Sequence, residues 1–119
     1  MLREDRWCFA LFAVMRSDVL RSTALLQGLV GADRVLLAEL ALRGRFAILP
    51  EPLFSNRDHA GRAVRRFPAH HRRAAHEVPA LAGRRLLPHW RILRAYAAAI
   101  AGAPIAAAER ARARLALVG

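Results

Sequence analysis

The stretch Gly31-Ala-Asp-Arg-Val-Leu-Leu-Ala-Glu-Leu-Ala-Leu-Arg-Gly44 predicts the helix around which the rest of the chain is organised. Good helix formers fill it, Asp33 stands in its first turn, Arg43 stands in its last, and Gly44 follows where helices commonly stop. At helical spacing one stripe combines Asp33 with three leucines, Leu36, Leu37 and Leu40. Glu39 precedes Arg43 by four residues on another face, which predicts an ion pair. The stripe therefore predicts that Asp33 is carried toward the packed side of the helix.

Short apolar segments on both sides of this helix predict strands. The run from Trp7 to Met15 is aromatic and apolar on both faces, which predicts a buried strand or two strand pieces. After the helix, Arg45–Leu49 predicts a second strand, which Pro50 and Pro52 interrupt before an extended segment restarts at residues 53–54.

Three further helices are expected. A short one runs from Ser17, its predicted cap, to about Thr23. Near the end of the chain, Pro88 suits a first helical position, and apolar residues repeat at helical spacing from there to Gly102. Pro104 is expected to open the last helix.

The charge of the chain favours anionic partners. Its 119 residues carry 20 basic side chains, all arginine, against 9 acidic ones, for a net charge of +11. Phosphates, nucleic acids and anionic surfaces are the natural partners of such a chain.

The absence of lysine excludes Schiff-base and P-loop chemistry. The single Cys8 excludes an internal disulfide and a zinc-finger module, which favours a reducing, cytoplasmic setting.

Targeting signals are not expected. No run reaches the about 18 uninterrupted apolar residues that a membrane-spanning helix requires. The first residues do not predict a secretory signal, because Glu4 and Asp5 interrupt the charged region and no small-residue cleavage site follows.

Two stretches carry a family resemblance. They are the segment from Gly31 to Phe46 and Pro50-Glu-Pro-Leu-Phe-Ser-Asn-Arg-Asp-His59. Taken in this order along the chain, they resemble the C-terminal half of family 2 glycosyltransferases of the GT-A fold. The resemblance extends over about Phe9 to Arg66. The resemblance implies an α/β fold. Residues 1–66 would be the C-terminal half of a Rossmann-like GT-A domain, and residues 67–119 an Arg/His-rich connector with two closing helices as a helical extension.

The family resemblance also implies a reaction and its residues. Such enzymes transfer a sugar from a nucleotide-sugar donor to a hydroxyl of a glycan or lipid acceptor, here with inversion, and use a divalent Mg or Mn ion. By position Asp33 resembles the catalytic base, although Ala32 stands where the family often has another acid. Arg57, His59 and Arg62 would lie near the diphosphate or the metal, with His59 as a metal ligand.

Each of these residues also has a simpler interpretation. An aspartate in the first turn of a helix commonly satisfies free backbone N–H groups, without any catalytic role. Arg57 and His59 alternate by two, so both can leave one face of an extended segment and be solvated there. The arginines between Arg62 and Arg73 form a solvated face, a diphosphate cradle, or a surface for nucleic acid or anionic lipid.

The donor-binding half of such an enzyme, with its Asp-x-Asp metal motif, does not occur in these residues. The resemblance therefore predicts that the isolated chain is inactive, that an N-terminal donor-binding half is its partner, and that exposed strands promote self-association. The alternative is a small Arg-rich non-enzymatic protein that binds nucleic acid or an anionic membrane surface. No base-reading motif is present, so no specific nucleic acid is expected. The predicted location is cytoplasmic, with a peripheral place at the inner membrane face.

Overall fold

A computed structural model describes residues 9–55, 57, 59, 61, 78, 79 and 88–118 of the chain. The chain divides into two compact units, of which one combines Met1–Arg45 with Leu87–Gly119 and the other is Phe46–Leu86. The described part of the first unit contains a 3₁₀ turn, η1, and four α-helices. Their bounds are Phe9–Phe12 for η1, Ser17–Arg21 for α1, Ala32–Ala41 for α2, Pro88–Gly102 for α3 and Ala107–Val118 for α4.

The predicted α/β fold is wrong, because the described residues form helices and no sheet. The partial GT-A-like, Rossmann-like architecture expected for residues 1–66 is therefore corrected to a helical one over the described positions. Arg45–Leu49, predicted as a strand, is irregular and exposed, and the Ile48 side chain is 93% accessible. A strand needs a neighbour for its backbone N–H and C=O groups, and none of the described segments offers one.

The strand predicted from Trp7 to Met15 is also wrong over its described part, residues 9–15. Its first four described residues form η1, and the amide of Ala13 donates to the carbonyl of Ala10 at 3.2 Å. Phe12 and Val14 are largely exposed. Because the described part of the chain contains no strand to pair with, this apolar run satisfies part of its backbone by local turns.

Helix α2 confirms the helix predicted between Asp33 and Arg43, with an end two residues earlier. Its buried face is rotated from the predicted one. Leu36 and Leu40 are buried as expected, but Leu37 is only half-buried and Val35 takes its place at 1% exposure. The core of the first unit combines this face of α2 with residues of α3, one residue before α2 and one residue after α3. Its buried apolar residues are Leu29, Val35, Leu36, Leu40, Ala99, Ile100 and Ala103.

Gly31 sets how closely the start of α2 approaches α3. It is the N-cap of α2 and adopts a left-handed conformation, with φ 80° and ψ 21°. A Cβ atom built on Gly31 would lie 2.9 Å from Cδ1 of Ile92 in α3. The left-handed backbone therefore favours glycine at the residue that precedes the first turn of α2, and a larger residue there would also make the end of the Ile92 side chain shift.

We expect Gly31→Ala to lower the free energy of unfolding by about 1–2 kcal/mol, since an L-residue in this conformation is strained and Ile92 must also shift. Gly28→Ala is the matched control, because a Cβ at Gly28 meets nothing within 4 Å and its φ is ordinary. Urea unfolding followed by circular dichroism measures both variants. Equal stability of the two would show that the approach of α2 to α3 does not depend on Gly31.

Helices α3 and α4 confirm the two closing helices and pack on each other. α3 begins at Pro88 as predicted, whereas α4 begins at Ala107 and not at Pro104. The Ala106 amide donates to Oε2 of Glu109 at 3.3 Å, which is half of a capping box. The guanidinium of Arg110 donates to the carbonyls of Ala103 and Ile105 at 3.1 and 3.3 Å, and so fixes the turn between the helices.

Helix α1 confirms the short helix predicted from Ser17, but Ser17 is its first residue and Arg16 is its N-cap. The Arg16 guanidinium donates to both carboxylate oxygens of Asp18, at 3.3 and 3.1 Å. These hydrogen bonds lower the pKa of Asp18. Both side chains are mostly exposed, so the pair adds little to stability.

Among the described residues, no helix has the length and apolar character that crossing a membrane would require.

Candidate functional site

Asp33, the predicted catalytic base, is the second residue of α2 and is half-buried. Its Oδ1 accepts a hydrogen bond from the backbone amide of Arg34 at 2.9 Å. No arginine or histidine among the described residues forms an ion pair with it. The carboxylate thus keeps acceptor capacity for a further donor, such as a hydroxyl group.

The start of α2 holds this carboxylate in a defined place. Gly31 has no side chain with which to cap the helix, and Asp33 is the acidic residue of the first turn. The left-handed backbone of Gly31 and its close approach to Ile92 fix where that turn begins. A positioned carboxylate can remove a proton from a hydroxyl within hydrogen-bond reach, and it can also satisfy free helix amides.

The other predicted site residues belong to the second unit, Phe46–Leu86. Arg57 and His59 are exposed there, and Arg62 lies outside the described residues, as do the remaining arginines up to Arg73. The assignment of Arg57, His59 and Arg62 to a diphosphate or metal stays a prediction.

His59 has a local environment of its own. A Cβ atom built on Gly61 would lie 3.2 Å from Nδ1 of His59, so the imidazole lies against the backbone of Gly61. In the part of the chain that is described, no three His, Cys, Asp or Glu side chains cluster closely enough to hold a metal ion. Mg and Mn ions at diphosphates are usually held by carboxylates. The role of His59 as a metal ligand stays a prediction.

Glu39 is buried, although the sequence predicts it on a face of the helix other than the apolar stripe. It is 6% exposed, and its Oε2 accepts the backbone amide of Ala24 at 2.8 Å. The predicted ion pair between Glu39 and Arg43 is wrong: the Arg43 guanidinium donates instead to the backbone carbonyls of Glu39 and Ser22, at 3.0 and 3.1 Å. The signal for this burial was present in the sequence, because Glu39 follows Val35 by four residues and shares its face.

The segment from Ser22 to Val30 is tied to α2 by these contacts. Thr23 Oγ1 donates to the carbonyl of Leu20 at 2.6 Å and accepts the amide of Leu25 at 3.2 Å. Leu25 has a φ of 55°, a left-handed conformation that costs a residue with a side chain about 1 kcal/mol. Leu25 and Leu26 are about half exposed or more. The result is an ordered loop that leads directly into Gly31 and the turn that carries Asp33.

Comparisons with known protein families, with curated proteins and with solved structures find no match to this chain.

Proposed function

We propose that this chain supplies the acceptor side of an inverting, nucleotide-sugar-dependent glycosyltransferase, with Asp33 as the catalytic base. The observation that carries the proposal is the half-buried Asp33 carboxylate in the first turn of α2, which has one backbone amide as its hydrogen-bond donor among the described residues. This is the helix start at which the resemblance to family 2 enzymes expects the base. The ordered loop before it is a suitable place for an acceptor, because binding residues are often carried on loops held by a scaffold.

The chemistry is a single displacement. The Asp33 carboxylate takes the proton of the acceptor hydroxyl while that oxygen forms a bond to the anomeric carbon of the sugar. The bond from this carbon to the nucleotide diphosphate breaks on the opposite face, and the diphosphate leaves with the electron pair. Attack opposite the leaving group inverts the configuration at the anomeric carbon.

The donor must be bound largely by residues outside those described. Nucleotides commonly bind at the carboxyl ends of parallel strands, and the described residues contain no strand. The proposal therefore includes a separate donor-binding half, which would also hold the divalent ion. Arg57, His59 and Arg62 would assist at the diphosphate. A cytoplasmic location, peripheral at the inner membrane face, belongs to the same proposal and is supported by the lone Cys8 and the excess of arginine.

We expect the isolated chain to show no transfer and no saturable binding of nucleotide sugars at millimolar concentration with Mn or Mg. Joined to a donor-binding half, natural or taken from a close relative, it should restore transfer of labelled sugar. Calorimetry measures binding and product formation measures transfer. A folded fusion that binds nucleotide diphosphate but forms no product from a panel of sugars and acceptors would contradict the proposal.

A further inference from the structure

Two sides of helix α4 carry apolar side chains, and among the described residues only one of these sides packs on a neighbouring helix, α3. The side toward α3 carries the half-buried residues Arg110, Ala113 and Leu117. The opposite side, which we call the outer face, consists of Ala111, Leu115 and Val118 at helical spacing. Leu115 is 75% exposed and Val118 is 86% exposed. An exposed aliphatic stripe along a helix needs a partner to contribute to stability or binding.

Arginines border this outer face. On a helical projection Arg114 lies on one side of the stripe and Arg112 on the other, and both are exposed. The acidic residue of the helix, Glu109, projects to the far side from the stripe. Arginines beside an aliphatic stripe are one feature of helices that lie in the interface of an anionic bilayer.

We propose that the outer face of α4 binds the surface of membranes that contain anionic lipids. Leu115 and Val118 enter the boundary between headgroups and acyl chains, while Arg112 and Arg114 reach the lipid phosphates. The contact is peripheral and reversible, because two large aliphatic side chains bury little area. It rests on the peripheral membrane location included in the proposed function, which it specifies, and it does not require transferase activity.

The charges favour this occupant over two others. A second copy of the chain would bring Arg112 and Arg114 toward like charges of a molecule that also carries +11. Duplex DNA would attract the arginines but leave Leu115 and Val118 in water, since contacts to DNA backbones are polar. Of these three partners, only the anionic bilayer accommodates both the arginines and the aliphatic side chains.

The test uses the full chain and sedimentation with vesicles of phosphatidylcholine, with or without a third of phosphatidylglycerol. We expect binding to the anionic vesicles only. Arg112→Gln with Arg114→Gln should weaken it by about 30-fold, from about 5-fold for each arginine near an anionic surface. The matched control removes the same charge from α1 and α2, with Arg21→Gln and Arg34→Gln, and should weaken binding only about 2-fold.

Leu115→Ser with Val118→Ser tests the aliphatic part and should weaken binding by about tenfold or more at unchanged net charge. Both side chains are largely exposed, so the helix should persist, and circular dichroism checks it. As a second measurement, the indole introduced by Leu115→Trp should be quenched by brominated lipids in anionic vesicles.

Three results would overturn the proposal. In the first, the double serine variant binds vesicles as the parent does and the indole emission of the Leu115→Trp variant is not quenched, so the attraction is purely electrostatic. In the second, the serine changes convert a dimer to a monomer in analytical ultracentrifugation without affecting vesicle binding, so a second copy covers the face. In the third, a short DNA duplex binds more tightly than the vesicles, and the serine changes leave that binding unaltered.

Discussion

Asp33→Asn is expected to lower the turnover of the chain, joined to a donor-binding half, by about 10²- to 10⁴-fold, the usual contribution of a positioned general base. Asparagine keeps the shape of the side chain and its oxygen can still accept the Arg34 amide, but it cannot take a proton. The apparent affinity for the donor should stay near that of the parent, because the change affects the transition state and not ground-state binding. Steady-state kinetics of sugar transfer measure both quantities.

The chain contains a matched control for this experiment. Asp18 is the second residue of α1, as Asp33 is of α2, and it also lies in a first turn. Asp18→Asn should leave turnover unchanged. His59→Ala should instead weaken metal dependence and the apparent affinity for the donor first, because its imidazole is proposed to assist at the diphosphate. If the Asp33→Asn variant has an unchanged thermal transition and a turnover within a few-fold of the parent, Asp33 only stabilises the start of the helix. The proposed reaction would then have no base.

Glu39→Ala is expected to lower the free energy of unfolding by about 2–3 kcal/mol. The substitution removes a buried side chain and the acceptor of a part-buried hydrogen bond, and leaves the Ala24 amide without its partner. Glu39→Gln keeps an acceptor of the same shape, so its effect should be closer to about 1 kcal/mol. Urea unfolding measures both variants. If the slope of the free energy of unfolding against urea concentration is unchanged, the shift of the midpoint reports a change in stability.

Glu109 provides the control for this second substitution. Its carboxylate also accepts a backbone amide, that of Ala106, but it is exposed at the start of α4. Glu109→Ala should cost about 0.5–1 kcal/mol, the value of a helix-capping contact at the surface. Equal losses for the two alanine variants would mean that burial adds nothing to the Glu39 contact, and that the loop from Ser22 to Val30 is held by other interactions.

Local sequence signals predicted the helices well. The composition and end signals of α2, and Pro88 at the start of α3, are encoded in neighbouring residues, so they could be read without knowing the rest of the fold. The strands could not be predicted in this way. Arg45–Leu49 has the composition of a strand, but whether a strand forms depends on a partner elsewhere, and none of the described segments provides it.

The candidate site shows the same division between local and distant signals. The place of Asp33 in the first turn of α2 followed from the sequence of that helix alone. The hydrogen-bond partner of Glu39 could not be predicted from that helix, because the Ala24 amide lies fifteen residues earlier and its position depends on the path of the loop. The prediction that Glu39 would pair with Arg43 on another face of the helix was wrong, because Glu39 accepts the Ala24 amide and the Arg43 guanidinium donates to backbone carbonyls.

The close approach of Gly31 to Ile92 links two positions that are far apart in the chain. The space available at either one is defined by the side chain at the other. A shorter residue at 92 removes the collision but not the backbone strain, so only part of the penalty at 31 can be compensated. Positions 31 and 92 are therefore epistatic: in a library of variants, the effect of a small side chain at 31 depends on which aliphatic residue stands at 92.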